Sequence, residues 1–242
     1  MNKVLISKTA IACLFSALLV ACLMACGNDP YDTGDGSLSY TRADFVEVST
    51  NSSAEAVSAV SDDGKVLTLS PAVKADWITA KDSVYRALLY YNVAEGMDAE
   101  LVGEATVKPI AVGSVIVPNV LDATGGNRVY PVDPVTLESM WMSKNGRYLN
   151  LDISVKVGAK DGKIGSQSVG VAYIGKQTGS NGNVVHKLVF VHGQNGVPEY
   201  YSSQAYVSIP LYRMPCSIIS GDSIEICVNG YGGKVTKTYV VE

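Results

Sequence analysis

Reactive side chains are scarce in this 242-residue chain, and their spacing limits the chemistry they can do. There are two histidines, His186 and His192. That is too few for a multi-histidine zinc centre, and no His-Glu-x-x-His pair is present. Both sit at the same parity of an apolar run over 184–192, so on a strand they face one side. At ~3.3 Å per residue they stand roughly 20 Å apart and cannot share a metal ion. Each reads as a structural or surface imidazole. The string nearest to a nucleophile elbow, Gly165-Ser166-Gln167-Ser168-Val169-Gly170, has serine where the first glycine should stand. Gly230-Tyr231-Gly232-Gly233 leads into no helix and reads as a hairpin connection, not a phosphate loop. Asp29, Asp32, Asp35 and the pair Asp62-Asp63 lack the closing glutamate of an EF-hand and read as solvated turn acids. A glycosidase needs two carboxylates about 5–10 Å apart across a cleft, which chain spacing does not define. The expectation is no catalytic residue, no metal and no cofactor.

Cysteine chemistry is the remaining option. Cys216 and Cys227 flank Ile219-Ser220-Gly221-Asp222-Ser223-Ile224. A two-residue Gly221-Asp222 hairpin loop would pair Ser220 with Ser223 and set Cys216 opposite Cys227. An oxidising envelope permits a bridge there. Against it, the pair falls at a hydrogen-bonded position, with α-carbons ~5.5 Å apart. A disulfide and two small buried thiols both fit. A catalytic thiol fits less well, because neither cysteine has a histidine close by in sequence.

The other cysteines belong to the amino terminus. Residues 1–8 are short and basic, 9–25 are almost unbroken apolar chain ending in small residues, and polar residues follow. This is the layout of a secretory signal peptide rather than a membrane span of ~20 residues. Leu19-Val20-Ala21-Cys22 and Leu23-Met24-Ala25-Cys26 both have the form of a lipoprotein processing box. Cys26 is the expected lipidation site, because cutting there keeps Leu23, Met24 and Ala25 off the polar tether that begins at Gly27; Cys22 is the alternative. Acyl chains at ~0.8 kcal/mol per buried methylene make such an anchor effectively permanent. The expected address is the outer membrane, lipid-anchored, on either face. With Lys3 and Lys8 removed, 17 basic groups face 23 acidic ones, a net charge of −6. An acidic chain without Lys/Arg clusters is not built to bind nucleic acid.

Strands must position whatever site exists. Asn145-Gly146 is the strongest turn: pairing outward sets Met142 opposite Leu149 and Met140 opposite Leu151, with Trp141 and Tyr148 on the other face. Asp63-Gly64 joins a small-residue strand over 56–60 to one over 65–69. About a dozen strand-like runs result, and 72–81, where Val73 and Trp77 stand four apart, is the one helix candidate. The fold expected is all-β. It comprises a signal peptide (1–25), a tether (26–37), a small OB-like barrel (38–117), a Gly/Pro-rich linker (118–134) and an antiparallel β-sandwich (135–242). Tyr90, Trp141 and Tyr148, which alternate away from the core stripes, are the candidate ligand-facing aromatics.

Two stretches carry a family likeness. Asp133-Pro134-Val135-Thr136-Leu137-Glu138-Ser139-Met140-Trp141, followed by Gly146-Arg147-Tyr148-Leu149-Asn150-Leu151, resembles the NigD-like envelope lipoproteins. So does Tyr200-Tyr201-Ser202-Ser203-Gln204-Ala205-Tyr206-Val207-Ser208-Ile209-Pro210-Leu211. These proteins share a lipoprotein signal, an OB-type barrel and a C-terminal β-sandwich. The resemblance implies an association with bacteriocin production or immunity and brings no catalytic residue. A non-enzymatic envelope lipoprotein that binds a protein partner is the resulting expectation, with a polysaccharide as the alternative ligand.

Overall fold

Alternating apolar residues and tight turns dictate the first half of the structure. The computed structural model describes residues 41–92, 103–160, 162–179 and 182–241, and both candidate lipidation sites, Cys26 and Cys22, lie outside them. Five strands, β1 (Thr41–Thr50), β2 (Ala56–Ser61), β3 (Val66–Val73), β4 (Val84–Asn92) and β5 (Glu104–Ser114), close into a barrel in the order β1-β2-β3-β5-β4. Only β3 and β5 pair in parallel, as expected of an OB-type barrel. Its interior is filled by every second residue: Val46 and Val48, Leu67 and Leu69, Ala87, Leu89 and Tyr91. The same alternation puts Arg86 and Leu88 on the outside of β4. Both are nonetheless buried, at 5% and 6% exposure, so a second body covers that face.

The helix expected over 72–81 does not form. β3 continues to Val73, and the chain then turns with Ile78 N–H donating to Ala75 O at 3.0 Å. Trp77 and Ile78 drop onto the barrel core together. A segment this short has little helical stability of its own, and burying two adjacent side chains outweighs a one-turn repeat.

The covering body is a sandwich. Its strands are β6 (Asn119–Asp122), β7 (Thr136–Met142), β8 (Tyr148–Val157), β9 (Ala159–Lys160), β10 (Lys163–Ile164), β11 (Ser168–Thr178), β12 (Val184–Gly193), β13 (Tyr201–Pro210), β14 (Ser223–Gly230) and β15 (Gly233–Val240). One sheet has the order β15-β14-β12-β11-β6 and the other β13-β8-β7, while β9 and β10 pair separately. Because β12 runs parallel to β14 and β6 parallel to β11, the sandwich is mixed rather than wholly antiparallel. Leu149, Leu151 and Ile153 of one sheet meet Tyr173, Leu188, Phe190 and Ile226 of the other in the core.

The register at Asn145-Gly146 is the expected one, Met142 opposite Leu149 and Met140 opposite Leu151. The turn is wider than two residues: Gly146 N–H donates to Ser143 O, and Gly146 takes a φ of +64°, a conformation glycine adopts without a Cβ penalty. The segment expected as a linker over 118–134 is instead structural. β6 is an edge strand of the five-stranded sheet, and Leu121, Ala123 and Tyr130 pack on Ala172 and Val191 on that sheet's outer face.

The three-stranded sheet therefore has no solvent face along its centre. In β8, Tyr148, Leu149, Asn150 and Leu151 are all buried: the leucines face the sandwich core, and Tyr148 and Asn150 face the barrel.

Candidate functional site

Arg86 explains how the barrel and the sandwich interlock. Its Nη1 and Nη2 donate to the two carboxylate oxygens of Asp62 at 2.6 and 2.7 Å, the bidentate geometry a guanidinium favours. Nε donates to Ser208 Oγ at 3.1 Å and Nη2 also to Asn150 Oδ1 at 3.2 Å. The guanidinium carbon lies 4.1 Å from the Tyr148 ring centroid and 5.3 Å from that of Phe45. Phe45 in turn meets Trp141 and Tyr206 edge-on at 5.3 and 5.4 Å. Asp62 opens the Ser61-to-Lys65 turn, its N–H donating to Phe45 O at 3.1 Å and Gly64 closing the turn at φ +82°. Ser208 Oγ donates to Asn150 Oδ1 at 2.7 Å, and Asn150 Nδ2 is buried without a partner among the described residues.

Beside this lock the junction opens into a cleft of about 600 Å³, a volume typical of ligand sites. Trp77 and Tyr85 form one wall, in edge contact at 5.6 Å. Trp77 is fixed by Nε1–H donating to Val112 O at 3.0 Å, and the Tyr85 oxygen accepts from the backbone N–H groups of Ala80 and Thr79. These bonds, led by that from Ala80, pull the Tyr85 phenol below its ordinary pKa. The other wall is Arg147, Tyr148, Tyr212 and Arg213. Tyr148 Oη donates to Glu47 at 2.6 Å, and burial followed by that bond pushes its pKa far up, keeping it a donor. Arg147 pairs with Glu47 at 3.1 Å, and the guanidinium carbons of Arg147 and Arg213 lie 4.8 and 5.4 Å from the Tyr212 centroid. Asp62 neutralises Arg86 and Glu47 neutralises one further cation, so the lining carries an excess positive charge on an acidic chain.

The structure separates the residues singled out from sequence. Tyr148 is fully built into the junction, at 2% exposure, and is not a free platform. Trp141 is half-buried on Phe45, and Tyr90 is half-buried beside Gly113. Tyr212, which the sequence did not single out, lines the cleft together with Trp77. They come from a 3₁₀ turn at Leu211–Arg213 and from the segment expected as a helix.

The disulfide is absent. Cys216 and Cys227 are free thiols. The 219–222 turn does not join two paired strands: β14 takes β12 and β15 as neighbours, Cys227 sits opposite Val189 and Thr236, and Cys216 lies in a loop. Cys216 meets His186 instead, its Sγ lying 3.4 Å from Nδ1 and donating to Tyr173 Oη at 2.9 Å. His186 Nε2 bonds the Asp222 carboxylate at 3.0 Å, and this bond lowers the Asp222 pKa. Desolvation raises that of Tyr173, and its bond with Cys216 adds to the rise. Chain distance concealed the pairing: the two residues are 30 apart in sequence. His192 is a satisfied structural imidazole between Asp133 O and Gln167 Oε1.

Residues 119–242 match the NigD-like C-terminal beta sandwich domain. The chain belongs to the NigD-like family. NigD-like proteins are not a known class of enzyme. Solved structures extend the likeness to the barrel. A NigD-like immunity protein from Bacteroides caccae superposes with a TM-score of 0.58 at 21% identity, covering 83% of this chain and 98% of that one. A Parabacteroides distasonis protein provisionally classed as toxin-related gives 0.57 at 16% identity, covering 82% and 92%. A Bacteroides fragilis protein provisionally classed as a lipoprotein gives 0.56 at 11% identity, covering 84% and 98%. At these identities the likeness is one of fold. No curated protein matches the chain in sequence. Among the described residues no helix is long and apolar enough to cross a membrane.

Proposed function

We propose that this NigD-like chain is a non-enzymatic outer-membrane lipoprotein, acylated at Cys26 with Cys22 as the alternative, that binds an envelope protein in the cleft between its barrel and its sandwich. The cleft carries the reading. Trp77, Tyr85 and Tyr212 with Arg147 and Arg213 are the residue types that dominate interface energetics, and the excess positive charge selects an acidic segment of the partner. A photo-crosslinking residue in place of Tyr212 should give a discrete protein adduct in intact cells, whereas one at the exposed Val129 should not. Equal labelling at both positions would end the proposal. Loss of acyl labelling in Cys26→Ala but not in Cys22→Ala fixes the anchor.

The pair of fixed rings, Trp77 and Tyr85, favours one second reading, an acidic oligosaccharide stacked in the same cleft. Calorimetry with uronic-acid oligosaccharides separates the two: saturable heat lost in Tyr212→Ala supports the sugar, and a flat titration removes it.

A further inference from the structure

The sandwich holds a second constellation that the binding cleft does not use. Four side chains from four segments converge at one end of its core: Tyr173 from β11, His186 from β12, Cys216 from the 214–218 loop and Asp222 from the turn before β14. A β-bulge at Ile174, between Tyr173 and Gly175, breaks the β11–β12 register beside them. His186 is 1% exposed and so is fixed by its partners. Its two ring nitrogens are divided between roles: Nε2 faces Asp222 at 3.0 Å, and Nδ1 faces both the Tyr173 hydroxyl at 3.3 Å and the sulfur at 3.4 Å. A thiol within reach of an imidazole that is itself oriented by a carboxylate is the arrangement that activates a cysteine. The Tyr173 hydroxyl, 2.9 Å from the sulfur, can turn its proton toward a thiolate. Cys216 is only half-buried, and it lines a cavity of about 510 Å³ whose wall includes Arg147, Tyr212, Pro215 and Ile218.

The geometry points to Cys216 as a nucleophilic thiol that exchanges with a small disulfide admitted by this cavity. The Cys216 proton passes to His186 Nδ1, and the imidazolium is held by Asp222. The thiolate attacks one sulfur of R–S–S–R′. The new Sγ–S bond forms as the old S–S bond breaks, and R′S⁻ leaves with the electron pair and takes the proton back from His186. Oxidation of Cys216 is balanced by reduction of the leaving thiol, so the disulfide is the only co-reactant. Exchange of this kind needs an attacking sulfur, an open approach and a stable leaving thiolate; the imidazole stands where it can take and return the proton, and the cavity gives the approach.

Cys227 is an internal comparator. It is also half-buried, and among the described residues its thiol has no hydrogen bond. The groups facing His186 that can affect its titration are Cys216, Tyr173 and Asp222, with Lys176 across the ladder and Asp122 acting on the Tyr173 phenol.

The test uses the full chain, solubilised from membranes in detergent, as Cys227→Ala (Cys216 reporting), Cys216→Ala (Cys227 reporting) and the double variant as background. Reaction with 5,5′-dithiobis(2-nitrobenzoate) and with oxidised glutathione is followed from pH 5 to 9. A free thiol of pKa ~8.5 loses rate about tenfold per pH unit below that value. Cys216 should react at pH 6 at least about tenfold faster than Cys227, with a pH profile that flattens below neutrality. His186→Gln in the Cys227→Ala background should restore the tenfold-per-unit decline. Cys216 reacting no faster than Cys227 at pH 6, or declining with unit slope throughout, would overturn the inference. These two wild-type-imidazole measurements decide it even if His186→Gln fails to fold.

Discussion

Two buried polar clusters lie in this molecule, and they are built to opposite plans. At the barrel–sandwich junction, Arg86 has its charge met by Asp62, its remaining donors taken by Ser208 and Asn150, and its faces covered by Phe45 and Tyr148. Nothing in it is left to react. Inside the sandwich, His186 and Asp222 form a similarly closed pair, but the third member, Cys216, stands at a cavity. A buried ion bonded to partners from both bodies fixes their relative placement, whereas one that shares a contact with a half-buried sulfur leaves that sulfur at the edge of a cavity. Burial alone does not separate structure from chemistry; what matters is whether the last partner of the network can be reached.

The comparison breaks most visibly at Arg86. Arg86→Ala strands Asp62 and leaves Ser208 and Asn150 underused, and removal of one partner of a buried pair costs about 3–5 kcal/mol. Chemical denaturation should show that loss, and Arg86→Lys should recover little of it, because an ammonium cannot reproduce the bidentate fork or the stacking between rings. Next comes Tyr148→Phe, which keeps the ring over Arg86 but removes the donor to Glu47. A hydrogen bond to a charged group is worth about 1.5–3 kcal/mol, and Arg147 remains to hold Glu47, so a melting experiment should place the loss at the lower end of that range. A unit-free outcome, with Tyr148→Phe as stable as wild type, would show that the lock consists of Arg86 and its rings alone.

The sandwich cluster answers to pH. The bond from His186, then that from Ile219 N–H, holds the Asp222 carboxyl below its ordinary range. A carboxylate whose folded pKa is depressed contributes stability that is fully present above its unfolded value near ~3.9 and is lost as pH falls through the folded value. Melting temperature should therefore drop below about pH 4 in the wild type, and Asp222→Asn should flatten that part of the curve while leaving the junction unaffected. If the two acid limbs coincide, the Asp222–His186 bond carries no stability.

Much of this scaffold was legible as periodicity. The alternation in β8 and the Asn145-Gly146 turn fixed the register of Met142 on Leu149 without reference to anything distant. The barrel and sandwich classes followed from strand count and spacing. What local pattern could not carry was contact between remote segments. Arg86 stands at the outward parity of β4, where local alternation predicts solvent, and only the sandwich, 122 residues away at Ser208, turns that face into a core. Leu121 read as part of a linker because its partners Ala172 and Val191 lie on strands far along the chain. The thiol misled for the same reason: a hairpin at Gly221-Asp222 was locally sound, but β14 pairs with β12 in parallel instead. That long-range choice frees Cys216 to meet His186. Closeness along the chain is a fair guide to turns and a poor one to side-chain clusters.

The smallest expected effect is at the rim of the cleft, where the lock gives way to solvent. Tyr212 is 50% exposed and stacks against Arg147 and Arg213, while its hydroxyl lies 3.3 Å from that of Tyr148. Exposed cation–π contacts contribute about 0.5–1 kcal/mol each, and water replaces them on both guanidinium groups once the ring is gone. Arg147 keeps its ion pair with Glu47. Tyr212→Ala should therefore cost about 1 kcal/mol or less of stability, while removing the ring on which a ligand would rest. Stability unchanged with binding lost would place Tyr212 on the functional side of the division between closed and open clusters. A loss as large as that from Tyr148→Phe would place it in the lock, extend the closed cluster to the protein surface, and leave the cleft with one wall fewer to recognise a partner.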